Sequence, residues 1–159
     1  MGVEIERKFI VDKECWDKVL KPDGDIFKQG YIYSDSTKTI RIRLTSNKGF
    51  ITIKGKSSDD GLSRSEFEYE IPQKDAAELL KQFTSSLIEK IRYKIFHEGF
   101  IWEIDVFEGS NSGLIIAEIE LPNKEQSFKK PEWVGEEVTG DIHYYNSYLV
   151  DNPYKNWYN

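Results

Sequence analysis

Residues 66–71 read Glu66-Phe67-Glu68-Tyr69-Glu70-Ile71, acids alternating one for one with apolar and aromatic side chains. A period of two puts neighbouring side chains on opposite faces of a β-strand, so this stretch predicts a strand with one acidic face and one apolar face. Outward from it the same pattern recurs with other charges. Glu4, Glu6 and Lys8 alternate with Ile5; Arg41 and Arg43 flank Ile42 between Ile40 and Leu44; Lys54 and Lys56 follow Ile51 and Ile53. Downstream, Lys90, Arg92 and Lys94 alternate with Ile91, Tyr93 and Ile95, Glu103 and Asp105 with Trp102, Ile104 and Val106, and Glu118 and Glu120 with Ala117, Ile119 and Leu121.

One such strand reads as an ordinary sheet, with its apolar face on a core and its charged face in water. Repeated from end to end of a chain with few helices, the pattern leaves more apolar sheet surface than a one-sided sheet can cover. The sequence predicts strands at 3–11, 28–33, 39–45, 49–56, 65–71, 89–97, 100–108 and 114–121, separated by Ser, Asp, Asn and Gly turn chemistry. Helices are expected from Asp12, a plausible N-cap, to about residue 20, and over 75–83. Residues 124–130 read as loop or a short helix, and the aromatic tail as irregular with a helical stretch at 142–150. The expected fold is α+β, dominated by an eight-stranded antiparallel closed β-barrel with a few flanking helices. Closure removes the sheet's edges, and an apolar outside under the helices leaves the charges lining a wet interior. No linker or composition boundary divides the 159 residues, so 1–159 is read as a single domain.

Composition narrows the function. A net charge of -6 argues against a general nucleic-acid or anionic-membrane binder. The N-terminus lacks the apolar run of a signal peptide, no stretch is long enough to cross a bilayer, and the single cysteine, Cys15, calls for no oxidising compartment. A cytoplasmic location is the resulting expectation. Inside a barrel, unpaired dry charges would cost several kcal/mol each, so the charged bore must bind something. Lys8, Arg41, Arg43, Lys54, Lys90 and Arg92 supply fixed positive charge suited to phosphate oxygens. Glu4, Glu6, Glu66, Glu68, Glu103, Asp105, Glu118 and Glu120 supply hard oxygen ligands that fit Mg²⁺ or Mn²⁺ and fit zinc poorly. Cations together with acid-bound divalent metal point to a small polyanion such as a linear triphosphate.

The ordered strings resemble the CYTH domain, or triphosphate tunnel metalloenzyme, superfamily. They are Glu4-Ile5-Glu6-Arg7-Lys8, Arg41-Ile42-Arg43, Thr52-Ile53-Lys54-Gly55, 66–71, Lys90-Ile91-Arg92-Tyr93, 102–107 and 117–121, with an echo at Val138-Thr139-Gly140-Asp141 and Tyr145-Asn146-Ser147. The resemblance implies a closed tunnel built from a duplicated β-α-β-β-β plan. It implies metal binding by Glu4, Glu6 and Glu120 with Glu118 beside them, and a triphosphate cradle of Lys8, Arg41, Arg43, Lys54, Lys90 and Arg92. Glu66, Glu68, Glu103 and Asp105 fall to a second set of acids that orients or deprotonates water. The implied activity is metal-dependent hydrolysis of a triphosphate, with inorganic tripolyphosphate favoured by likeness to the short bacterial branch. A class IV adenylyl cyclase-like or organic-triphosphate enzyme and a non-catalytic polyphosphate or nucleotide binder stand as alternatives.

Some residues fall outside the pattern. A basic residue commonly precedes the family's Tyr-x-Asn-Ser segment, whereas Ile142-His143 stand there here, so one phosphate contact is missing or is supplied by His143. His97 is expected to face solvent near a turn, and Cys15 to be a packed thiol. The tail aromatics Tyr144, Tyr145, Tyr148, Tyr154, Trp157 and Tyr158 are expected to pack over one barrel end or at a homodimer interface.

Overall fold

A computed structural model describes residues 2–157. The chain runs β1 (Gly2–Val11), α1 (Lys13–Asp17), β2 (Asp25–Ser34), β3 (Thr39–Leu44), β4 (Gly49–Lys54), β5 (Ser63–Ile71), α2 (Gln73–Phe83), β6 (Ile88–His97), β7 (Phe100–Phe107), β8 (Ile115–Glu120), β9 (Val134–Glu137) and α3 (Asn146–Leu149). Short 3₁₀ turns occupy Gly109–Asn111, Ile142–Tyr144 and Tyr154–Asn156. The strands follow the order β5-β4-β3-β2-β6-β7-β8-β1, and β1 pairs back onto β5 through Gly2↔Glu66 and Ile5↔Ser63. That last pairing closes an eight-stranded antiparallel barrel, and β9 adds to the far end of β1. The connectivity reads as β1-α1-β2-β3-β4 followed by β5-α2-β6-β7-β8, the duplicated plan that the resemblance implied.

The alternation resolves as expected, with apolar residues outward. On one side α2 lays Ala76 and Leu80 on Ile42, with Ile32, Leu44, Ile51 and Ile71 around them. The helix comes so close that a Cβ on Gly49 would stand 2.7 Å from that of Ala76. On the other side α1 and the loop before β9 cover Phe9, Trp102, Ile104, Ala117 and Ile119 with Trp16, Phe128 and Trp133, whose rings meet edge to face. A third cluster lies inside one end of the barrel, where Leu149 of α3 packs against Ile88, Phe107, Leu114 and Ile116.

The differences from expectation are local. α1 stops at Asp17 after its N-cap Asp12 accepts from the Cys15 N–H, and Lys21 Nζ donates to the carbonyls of Trp16 and Val19. Residues 124–130 form no helix, and the tail's helical stretch breaks into a 3₁₀ turn and the four-residue α3. β9 escapes a period-two reading because four residues are too few to show one.

Candidate active site

Every charged position of the pattern except Lys56, Glu70 and Asp105 lines one continuous cavity of about 810 Å³. Strand register arranges these residues in two walls. Gln29 lies opposite Arg43, Phe27 opposite Lys90 and Arg41 opposite Thr52, which gathers the cations of β3 and β6 around β2. Glu6 lies opposite Glu120 and Lys8 opposite Glu118, which gathers acids where β1 meets β8, while Lys54 faces Glu66 on β5.

Each cation is held by part of its donor set. Lys90 is 1 % exposed and donates to Asp105 Oδ2 at 2.7 Å and to Asn146 Oδ1 at 2.9 Å. Arg92 grips the same Asp105 with Nε and one terminal nitrogen, at 2.7 and 2.9 Å. Both Asp105 oxygens are therefore taken, and the carboxylate lies beneath the two cations and not at the cavity. That placement makes Asp105 their counter-ion and leaves it poorly disposed to handle water. Arg43 donates through Nε to Gln29 Oε1 at 2.8 Å and stacks on Phe27. Arg41 reaches Thr52 and Glu68, at 3.1 and 3.4 Å, while its buried Nε has no partner among the described residues. Lys54 holds Glu4 at 3.0 Å and Glu66 at 3.5 Å.

Electrostatics differs between the walls. Burial, reinforced by Arg92 and Arg43, drives the Lys90 ammonium down to about 7, and burial with Arg41 and Arg92 brings Arg43 down to about 9. Arg92 goes the other way: burial opposes its charge, but Asp105 and Glu103 hold it well above the ordinary arginine value. On the acidic wall, burial and then the charges of Glu118 and Glu4 push Glu6 well up. Glu66 is raised by burial and Glu4, and Glu120 by burial, Glu4 and Glu103. Burial also acts on Glu118, but Lys8, a hydrogen bond from Glu6 and Arg92 bring it to about 2. Of the two, Glu6 is thus the one whose protonated form is favoured, and Glu118 the one whose charge is.

The tail completes the site, and sequence reading missed how. Tyr145, Asn146 and Ser147 line the cavity next to Thr139 and Gly140. Lys8 Nζ donates to the Tyr144 carbonyl at 3.3 Å and lies over the Tyr145 ring, and Asn146 accepts from both Lys90 and Gln29. A Cβ on Gly61 would stand 2.4 Å from the Gly140 Cα, so a side chain there would push the tail away from the β4–β5 loop. Arg64, also in the lining, spends its Nε on the Gly55 carbonyl. Tyr144, Tyr154 and Trp157 pack at the barrel end as expected; Tyr158 lies outside the described residues. His143 is exposed, bound through Nδ1 to Asp141 at 2.7 Å and absent from the cavity lining, so it replaces no phosphate contact. Cys15 packs against the outer core as expected, and His97, expected in solvent, is half-buried at the end of β6. Arg7, on the outer face, forks onto Glu137 of β9.

The acid wall suits a hard divalent cation by donor type and charge. Its ligands are all carboxylate oxygens, and crowding has left Glu6, Glu66 and Glu120 short of positive charge. Among the described residues no three such groups already converge on one point, since Glu4 is turned to Lys54 and Glu6 to Glu118.

Comparison with known proteins adds the following. Residues 2–147 match the CYTH domain family. The chain is 52% identical over 158 residues to an inorganic triphosphatase of Acetivibrio thermocellus, covering 99% of both chains. It is 35% identical over 155 residues to an inorganic triphosphatase of Nitrosomonas europaea, covering 92% of this chain and 96% of the relative. The solved structure of the inorganic triphosphatase NE1496 superposes with a TM-score of 0.63 at 31% identity, covering 94% of this chain and 95% of that one.

Proposed function

The chain belongs to the CYTH domain family, and from that premise we propose that it hydrolyses inorganic tripolyphosphate to pyrophosphate and phosphate with the help of a divalent cation, Mg²⁺ or Mn²⁺. The observation that carries the reading is the pair of opposed walls in one bore. Cations crowded enough to lower one another's proton affinity favour a further anion, and acids crowded enough to raise one another's favour a further cation. A metal-bound triphosphate supplies both.

Lys8, Arg41, Arg43, Lys54, Lys90 and Arg92 bind the phosphoryl oxygens along the chain. Lys90 has a third N–H and Arg43 its terminal fork to offer, the rest being committed to Asp105, Asn146 and Gln29. Glu4, Glu6, Glu118 and Glu120 would hold the divalent cation. When bound, it supplies Lewis-acid stabilisation of charge on the phosphoryl oxygens. Water attacks the terminal phosphorus in line as the bond to the bridging oxygen breaks, and the arginine and lysine donors stabilise the charge gathering on the departing pyrophosphate. Glu66, Glu68 and Glu103 line the bore and orient the water or take its proton, a role for which raised Glu66 is suited. The whole bore comes from one chain, so the reading requires no homodimer. Among the described residues no helix is long and apolar enough to cross a membrane; the lone cysteine calls for no oxidising compartment, and a cytoplasmic location is part of the proposal.

A second reading has its own observation. β6 and β7 stay paired as far as His97↔Phe100, beyond the last partners of β2 at Arg92 and of β8 at Trp102. Phe96 and Ile101 share the bore face with Lys94 and Glu103 and are 72% and 56% exposed. This overhang would suit the organic group of a triphosphate ester. Phosphate release from tripolyphosphate, ATP and thiamine triphosphate, each in Mg²⁺ and Mn²⁺, separates the readings. Tripolyphosphate is expected to turn over fastest, and no release from it with either metal would overturn the proposal.

A further inference from the structure

We propose that Asn146 is a substrate-binding residue: its amide nitrogen donates to a phosphoryl oxygen in the bore while its carbonyl oxygen holds Lys90 and Gln29. The inference rests on the bore being a triphosphate site and adds a residue brought by the tail. Its basis is a chain of hydrogen bonds whose polarity leaves no choice. Arg43 Nε–H can only donate, so the Gln29 atom facing it, at 2.8 Å, is the carbonyl oxygen. The Gln29 side chain is fully buried, and its amide nitrogen donates to Asn146 Oδ1 at 3.0 Å. Lys90, a donor in its ammonium form, meets the same oxygen at 2.9 Å. With an arginine that can only donate at one end, flipping either amide would set donor against donor. Asn146 Oδ1 is thus fixed towards the protein by two donors. Nδ2 has no hydrogen-bond partner among the described residues, and Asn146 lines the cavity.

The tail keeps this amide in place. Leu149, one turn on, is fully buried among Ile88, Phe107, Leu114 and Ile116, and the Tyr144 carbonyl and Tyr145 ring sit against Lys8. The relay also explains Gln29, a polar side chain with no solvent and no catalytic chemistry of its own. It is a positioning residue that pins Arg43 by Nε and leaves the terminal fork for phosphate.

Calorimetric titration of tripolyphosphate into the metal-free full-length protein, paired with steady-state kinetics, tests the inference. Asn146→Ala is expected to weaken binding about 10- to 100-fold, the range for losing a hydrogen bond to a charged group. Asn146→Asp keeps both acceptor contacts, so it should melt near the wild-type temperature yet bind at least as weakly as Asn146→Ala, because a donor has become a second negative charge. Gln29→Leu should lose a few-fold in affinity and more in kcat, and its effect should fail to add to that of Asn146→Ala. Wild-type affinity in Asn146→Ala or in folded Asn146→Asp would overturn the inference. A wild type that binds tripolyphosphate without turning it over would remove the hydrolase reading and leave the Asn146 comparison intact. A wild type that does not bind it would overturn both.

Discussion

The basic wall around β2, β3 and β6 and the acidic wall where β1 meets β5 and β8 are frustrated in opposite directions. Burial and neighbouring arginines push Lys90 to about 7 and Arg43 to about 9. On the facing wall, burial and neighbouring carboxylates push Glu6, Glu66 and Glu120 up. Relief comes where the walls meet. Asp105 holds Arg92 charged against its burial, and Lys8 with Arg92 keeps Glu118 ionised. The contrast fits the proposed metal-bound triphosphate, a ligand that carries both signs. Each wall sacrifices stability that a cation on one side and a polyanion on the other would return.

The most severe way to break the comparison is to remove an acid. Glu6→Gln should lower tripolyphosphate turnover on the order of 10³-fold, while the melting temperature holds or rises because the amide cannot take on the negative charge that burial, Glu118 and Glu4 oppose. Phosphate release near the wild-type rate would detach the acidic wall from the chemistry. Asp105→Asn strikes the seam between walls. It strips the shared counter-ion from Lys90 and Arg92, and denaturant unfolding should show a loss of about 3–5 kcal/mol. A loss below about 1 kcal/mol would mean that the clamp is not structural.

Filling both walls sharpens the contrast. Tripolyphosphate with Mg²⁺ at about a hundred times its Kd should stabilise the wild type by about 2.7 kcal/mol, and Arg43→Met distinctly less at the same concentration. Equal stabilisation would show that the ligand sits elsewhere.

The smallest effect is on pH. Lys90 titrates near 7 when folded, against an ordinary lysine value of 10.5, so between these values the unfolded chain holds a proton that the folded chain lacks. The Lys90 contribution to ligand-free stability therefore rises with pH across that window. Binding runs the other way, since the anion wants the ammonium charged. From about pH 7 to 8 metal-free affinity for tripolyphosphate should fall by up to about tenfold, and Lys90→Met should flatten that fall relative to wild type. An unchanged slope in the variant would assign it to other groups.

Much of this was legible in the residue string. Strands announce themselves through alternation, and charge on the alternate positions told which face would be wet, so the barrel and most of its charged lining could be read from 4–8, 41–43, 54, 66–68, 90–94, 103 and 118–120. Asp105 shows the limit. It has the same period as Glu103, yet Lys90 and Arg92 enclose it completely. Periodicity assigns a face and says nothing about depth along the bore. His143 shows the converse, since a basic residue in the right segment spends itself on Asp141 at the surface. Gln29 gave no signal, and Asn146 stood only in the Tyr145-Asn146-Ser147 echo with no role attached, because a neutral amide in a strand or a tail looks like any other until its partners are known.

By itself the sequence determined the strands, the inward face of each and the two chemistries they carry, because side-chain direction in a strand is a local property of the backbone. Tertiary structure alone decided which charges neutralise one another and which stay available. That outcome depends on register between strands distant in the chain, as in Glu6 opposite Glu120, and on a tail that inserts Leu149 into the barrel end and so brings Asn146 to Lys90. Electrostatic balance is a matter of ångströms across space, and such distances are set only once the barrel has closed.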